Sequence, residues 1–158
     1  MSTASGSPAA GPSPSGPGQP SELTVLVYSD DANTRQQVLS ALGRRVAADL
    51  PRLTYVEAAT ESAVLKHSRS GDVDLVILDG EATPVGGLGL CRTLKDEVYE
   101  APPVMVILGR PQDDWLAAWS RADGVASHPV DPVAMAAATD RLLRTFVPVS
   151  GTDVAARA

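Results

Sequence analysis

Five short aliphatic runs, each followed by a stretch with helical spacing, limit what this chain can fold into more than any single residue does. The runs are residues 23–28 (LTVLVY), 53–58 (LTYVEA), 73–78 (VDLVIL), 104–108 (VMVIL) and 125–127 (VAS). The stretches between and after them, 33–42, 61–67, 88–98, 112–121 and 132–146, carry the helical pattern. Thr60 can cap the second helix, and Asp131 with Pro132 gives the last helix an N-cap and a first residue. Apolar strands alternating with helices predict a parallel sheet buried on both faces. The expected fold class is therefore α/β, a doubly wound five-stranded parallel sheet with helices on both sides.

Around that core the organisation is simple. Residues 1–21 (MSTASGSPAAGPSPSGPGQPS) are nearly all Ser, Pro, Gly and Ala, with little to bury, and are expected to be a disordered tail. Residues 22–147 form the expected domain, and 148–158 a short C-terminal tail. The chain is 44% hydrophobic but only 4% aromatic, so its core must be aliphatic.

The net charge of −6 argues against a nucleic-acid partner, because phosphate contacts need a basic face. It argues equally against an anionic membrane surface. No run approaches the roughly 18 apolar residues of a membrane helix, so no membrane insertion is expected. The N-terminus lacks the basic and apolar regions of a signal peptide. Cys91 is the only cysteine and reads as a small buried hydrophobe on a helix. These features together predict a soluble, cytoplasmic protein.

Doubly wound sheets place their functional sites outside the carboxyl ends of the strands. The strand ends here carry Ser29-Asp30-Asp31, Asp79, Leu108-Gly109 and His128-Pro129. Oxygen ligands from Asp30, Asp79 and Asp31 could hold a hard divalent cation such as Mg²⁺. Asp30 and Asp31 also read as N-cap acids for the following helix; one is expected to cap it and Asp30 to face Asp79. His128 is placed to hydrogen-bond or pair with Asp79.

Four segments in this order resemble the receiver domain of bacterial two-component response regulators. They are "TVLVYSDDANTR", "DLVILDGEATPVGGLGLCRTLK", "PPVMVILGR" and "ADGVASHPVDPVAMAAATDRLLR", and the resemblance covers residues 22–147. It implies a flavodoxin-like sheet of strand order 2-1-3-4-5. It also implies an aspartyl-phosphate chemistry, in which a strand-end aspartate takes a phosphoryl group from a histidine kinase while an acidic pair holds Mg²⁺. Asp79 falls on the phosphoacceptor and Asp30 on the second acid of the pair.

The rest of the family pattern is thinned. Ser29 stands at the first acid, with Asp31 next door. Leu108 stands at the Thr or Ser that catches the phosphoryl group, and His128 at the lysine. Val125 stands at the switch aromatic. Pro84 is one place late in the loop after Asp79, while Gly87 keeps its place. The family's Lys-Pro bond is cis, so His128-Pro129 is expected to be cis too.

The expected function is a stand-alone, atypical receiver in phosphorelay signalling, a pseudo-receiver that acts by protein–protein contact with weak or no phosphorylation-dependent switching. A conventional phosphorylatable shuttle is the alternative. The contact surface implied by the resemblance is the fourth helix, fifth strand and fifth helix. Trp115 and Trp119, four apart on the fourth helix, supply its aromatic candidates, one of them also being expected to pack in the core. A histidine kinase and a second copy of the chain, in a homodimer, are the other candidate partners.

Two other classes have partial sequence signals. "DGEAT", residues 79–83, is similar to the nucleophile motif of haloacid-dehalogenase-type phosphatases, with Glu81 for the second Asp. Those enzymes carry the motif on the first strand and need a later lysine, and only Lys95 follows here. The expectation is therefore no enzyme. A nucleotide or flavin binder would need a glycine-rich phosphate loop, and neither G-x-G-x-x-G after the first strand nor a Walker motif is present.

Overall fold

The computed structural model describes residues 21–146. The expected N-terminal tail before Ser21 and the expected C-terminal tail, 148–158, lie outside the described residues.

The elements run β1 (Glu22–Tyr28), α1 (Ala32–Leu42), β2 (Arg52–Ala58), α2 (Glu61–Arg69), β3 (Leu75–Asp79), α3 (Gly87–Glu97), β4 (Val104–Leu108), α4 (Asp114–Ser120), β5 (Gly124–Ser127) and α5 (Pro132–Phe146). A 3-10 turn, Pro111–Asp113, precedes α4. All pairings are parallel, and the sheet order is β2-β1-β3-β4-β5. This is the doubly wound arrangement expected.

β3 and β4 are buried along their whole length, as central strands covered on both faces must be. Side chains of alternate residues separate into two cores. Tyr28, Val76, Leu78, Val106 and Leu108 pack with α2, α3 and α4. Val27, Ile77, Met105 and Ile107 pack on the other face with α1 and α5. The caps read from sequence form: Thr60 accepts from Ala63 N at 3.3 Å, and Asp131 accepts from Ala134 N at 2.8 Å.

Boundaries shift where side chains bond to the backbone. β3 starts at Leu75 rather than residue 73. Asp74 there joins Thr24 twice, through its own N–H and through the carboxylate that accepts from Thr24 N, both at 2.8 Å. α4 is shorter than expected because Pro111 opens a 3-10 turn and Arg121, at φ 63°, turns left-handed and ends the helix.

Two glycines of α3 differ sharply. A Cβ on Gly87 would lie 2.7 Å from the Asp79 carbonyl oxygen and 2.9 Å from Leu78 Cβ, so only glycine lets α3 start so close to the end of β3. Gly89 faces open space. Gly87→Ala is expected to destabilise the fold by about 1–3 kcal/mol through overpacking. Gly89→Ala is expected to stabilise it by about 0.5–1 kcal/mol through helix propensity. Urea denaturation of the two variants checks both signs.

Candidate functional site

The strand ends meet at Asp79, the last residue of β3, which is 4% exposed. Its Oδ1 accepts from Glu81 N at 2.9 Å and lies 2.7 Å from His128 Nε2. Its Oδ2 accepts from Ser29 Oγ at 2.8 Å. A carboxylate only accepts, so in this pair Nε2 carries the proton. A carboxylate taken out of water is costly unless donors surround it, and three donors from three segments do so here.

Each donor is placed by the sheet. Ser29 follows β1 directly and is fully buried. Its hydroxyl also accepts from Asp31 N at 3.1 Å. His128 follows β5, and its backbone N–H extends the β4–β5 pairing by bonding Leu108 O at 2.8 Å. The expected His128–Asp79 contact is therefore present. The His128–Pro129 bond is cis, as expected, and so is Thr83–Pro84.

Asp30, expected to face Asp79, is bonded to Thr83. Its carboxylate turns to the β3–α3 loop, accepting from Thr83 N at 3.1 Å and from Thr83 Oγ1 at 3.0 Å. The Thr83 backbone bond, then the Thr83 hydroxyl, hold the Asp30 carboxyl below the usual aspartate range. Successive residues leaving a strand point to opposite sides, and here Ser29 takes the side that meets Asp79. Asp31 caps α1, accepting from Asn33 N at 2.9 Å, as one of the pair was expected to.

These bonds test whether the mouth fits Mg²⁺. Asp30 is occupied by Thr83, Asp31 by the cap, and both Asp79 oxygens by donors. Among the described residues, no group of three or more His, Cys, Asp or Glu side chains is arranged to hold a metal ion. The set Asp30, Asp79 and Asp31 read from the sequence does not form such a group.

Leu108 is 1% exposed and belongs to the core on the α3 side of the sheet. Its burial contributes roughly 1.5–3 kcal/mol, and it presents no hydroxyl to the mouth. The next residue, Gly109, leaves room for Glu81, whose carboxylate lies where a Cβ would stand. Tyr28 reaches under the mouth and donates to Val85 O at 2.6 Å, fixing the loop after β3 from below. Burial is the main cause that pushes the Tyr28 hydroxyl pKa up.

Neither tryptophan packs in the core, contrary to expectation. Trp115 is 67% exposed and Trp119 50%. α4 turns Ala117 and Ser120 inward, which leaves positions 115 and 119 on its outer stripe. The Arg92 guanidinium sits 4.8 Å from the Trp119 ring centroid, and its Nη1 donates to Trp119 O at 2.8 Å. Val125 on the edge strand and Phe146 at the end of α5 are also exposed.

Thr83 and Tyr28 were not singled out from the sequence. The displaced Pro84 was the one signal that the loop takes its own path.

No family model matches the chain. A protein described as an uncharacterized response regulatory protein, found in two strains of Mycobacterium tuberculosis, is 51% identical over 128 residues, which is 81% of this chain and 96% of that relative. A chemotaxis response regulator of Vibrio cholerae superposes with a TM-score of 0.62 at 19% identity, over 77% of this chain and 99% of that one. The signal receiver domain of a signal transduction histidine kinase from Syntrophus aciditrophicus gives 0.63 at 21% identity, over 84% and 98%. At these identities the structural matches speak for the fold.

Removing Asp79 strands its donors in a buried place. Asp79→Ala is expected to cost about 1–3 kcal/mol, because Ser29 Oγ and Glu81 N lose their acceptor and no crowded carboxylate is relieved in exchange. Chemical denaturation of the two proteins measures the difference.

Proposed function

The chain belongs to the response-regulator family, as a receiver domain of two-component signalling, and on that premise we propose that it is an atypical receiver that signals by protein contact without needing phosphorylation. The observation that carries this reading is the state of Asp79. Both oxygens already accept hydrogen bonds, and the group is buried. A nucleophilic oxygen would have to shed Ser29 or His128 before it could attack phosphorus.

The surroundings support the same reading. A phosphoryl group brings about two negative charges that must be met by cations or donors. Glu81 lies over Gly109 beside the mouth, the lysine position holds His128, and the cation ligands are engaged elsewhere. Leu108 has no hydroxyl with which to follow a phosphoryl oxygen, and Val125 no ring to move.

We place the output on the face made by α4, β5 and α5. Trp115, Trp119, Val125 and Phe146 expose apolar surface there. Trp is enriched among residues that dominate binding energy. The occupant is a signalling protein, whether a histidine kinase, another partner or a second copy of the chain. In this reading the protein works in the cytoplasm; among the described residues, no helix is long and apolar enough to cross a membrane.

Turnover of phosphate esters is not part of the reading. Lys95, the only lysine after Asp79, pairs with Asp123 at 2.6 Å on the flank of α3.

The test is intact mass after incubation with acetyl phosphate and Mg²⁺, run beside Asp79→Ala. No phosphate adduct on either protein is expected. A labile adduct on the wild type alone would establish the conventional shuttle instead. Because its ring packs against nothing in the core, Trp115→Ala is expected to keep the folding stability to within about 0.5 kcal/mol. The same variant is expected to lose partner binding in a pull-down, which separates an interface role from a structural one.

A further inference from the structure

The geometry points to Ser29 and Thr83 as the residues that make the acidic mouth independent of divalent cations, their hydroxyls supplying the cross-links that a cation would otherwise provide. This inference concerns what closes the mouth and does not rest on the phosphorylation reading.

Mg²⁺ demands near-octahedral oxygen ligands and gives up its water reluctantly, so a protein site must offer free carboxylate oxygens facing one point. At the mouth, each carboxylate oxygen of Asp30 and Asp79 already has a hydrogen-bond partner, and the Glu81 carboxylate is turned over Gly109. Thr83 presents two donors, N–H and hydroxyl, to the two oxygens of Asp30. That bond pair ties the β1–α1 loop to the β3–α3 loop. Ser29 adds no charge and spends its proton on Asp79. The remaining Asp79 oxygen takes His128 Nε2 and Glu81 N. A cation would have to break the bonds to both hydroxyls and would gain two carboxylates, Asp30 and Asp79, in return. Asp31 is committed to Asn33 N, and Thr34 Oγ1 lies 3.3 Å from its other oxygen.

The two residues act on different parts of the barrier. Thr83 blocks ligands that are already present. Ser29 withholds a carboxylate from the position next to Asp79. Restoring a site therefore requires both changes, Ser29→Asp with Thr83→Ala.

The experiment is titration of the full chain with Mg²⁺ by calorimetry and with Mn²⁺ by electron paramagnetic resonance, for wild type and the double variant. Thermal melts in Mg²⁺ and in chelator accompany both. The wild type is expected to show no saturable binding in the millimolar range and the same melting temperature in either buffer. The double variant is expected to bind about tenfold or more tightly, since affinity follows the count of charged ligands, and to melt higher with Mg²⁺ than with chelator. Thr83→Val alone, which removes the hydroxyl and keeps the shape, is expected to remain without binding. Saturable binding by the wild type that Asp79→Ala abolishes would overturn the inference. So would a folded double variant, shown by an unchanged circular dichroism spectrum, that gains no affinity.

Discussion

One buried carboxylate ties the carboxyl edge of the sheet together. Asp79 ends β3, and the residues bonded to its oxygens follow β1 and β5, so two hydrogen bonds join the central strand to its neighbour and to the far edge. Leaving such a group unpaired away from water would cost more than these bonds contribute, which makes its partners obligatory. The third donor, Glu81 N, turns the chain out of the strand. The oxygens that would react in a phosphoryl transfer are the same ones that accept these bonds.

Packing keeps the carboxylate where its donors can reach it. β3 and β4 are buried on both faces, and the approach of Gly87 to the Asp79 carbonyl presses the start of α3 onto the end of the strand. Leu108 contributes to the same core from the adjacent strand. A residue buried that firmly adds stability and cannot also serve as a polar sensor. Leu108 thus belongs to the packing beneath the mouth. On the flank, α4 buries only small residues and leaves its two tryptophans exposed, Trp119 beneath the Arg92 guanidinium.

Much of this was legible beforehand, for physical reasons. Buried parallel strands read as continuous apolar runs, so β1, β3 and β4 could be found without coordinates. Asp79 and His128 were legible by position, since strand ends converge at one edge of such a sheet. The pairing within that edge was not. Whether Ser29 or Asp30 meets Asp79 depends on one residue of strand register, and hydrophobic pattern does not resolve it. The Asp30–Thr83 bonds join loops 53 positions apart, with no local signal beyond the displaced Pro84. The tryptophans were half misread because α4 is only seven residues long, too short for its apolar positions to declare which side is buried.

In this picture the mouth is satisfied by its own side chains and holds one state. The most direct measurement is the amide spectrum of the labelled protein by nuclear magnetic resonance, with and without beryllium fluoride and Mg²⁺, a pair that mimics a phosphorylated carboxylate. The amide signals of Leu108, Trp115, Trp119 and Val125 are expected to keep their positions. Shifts at those residues that vanish in Asp79→Ala would contradict it, because they would show an open carboxylate still coupled to the α4–β5–α5 face.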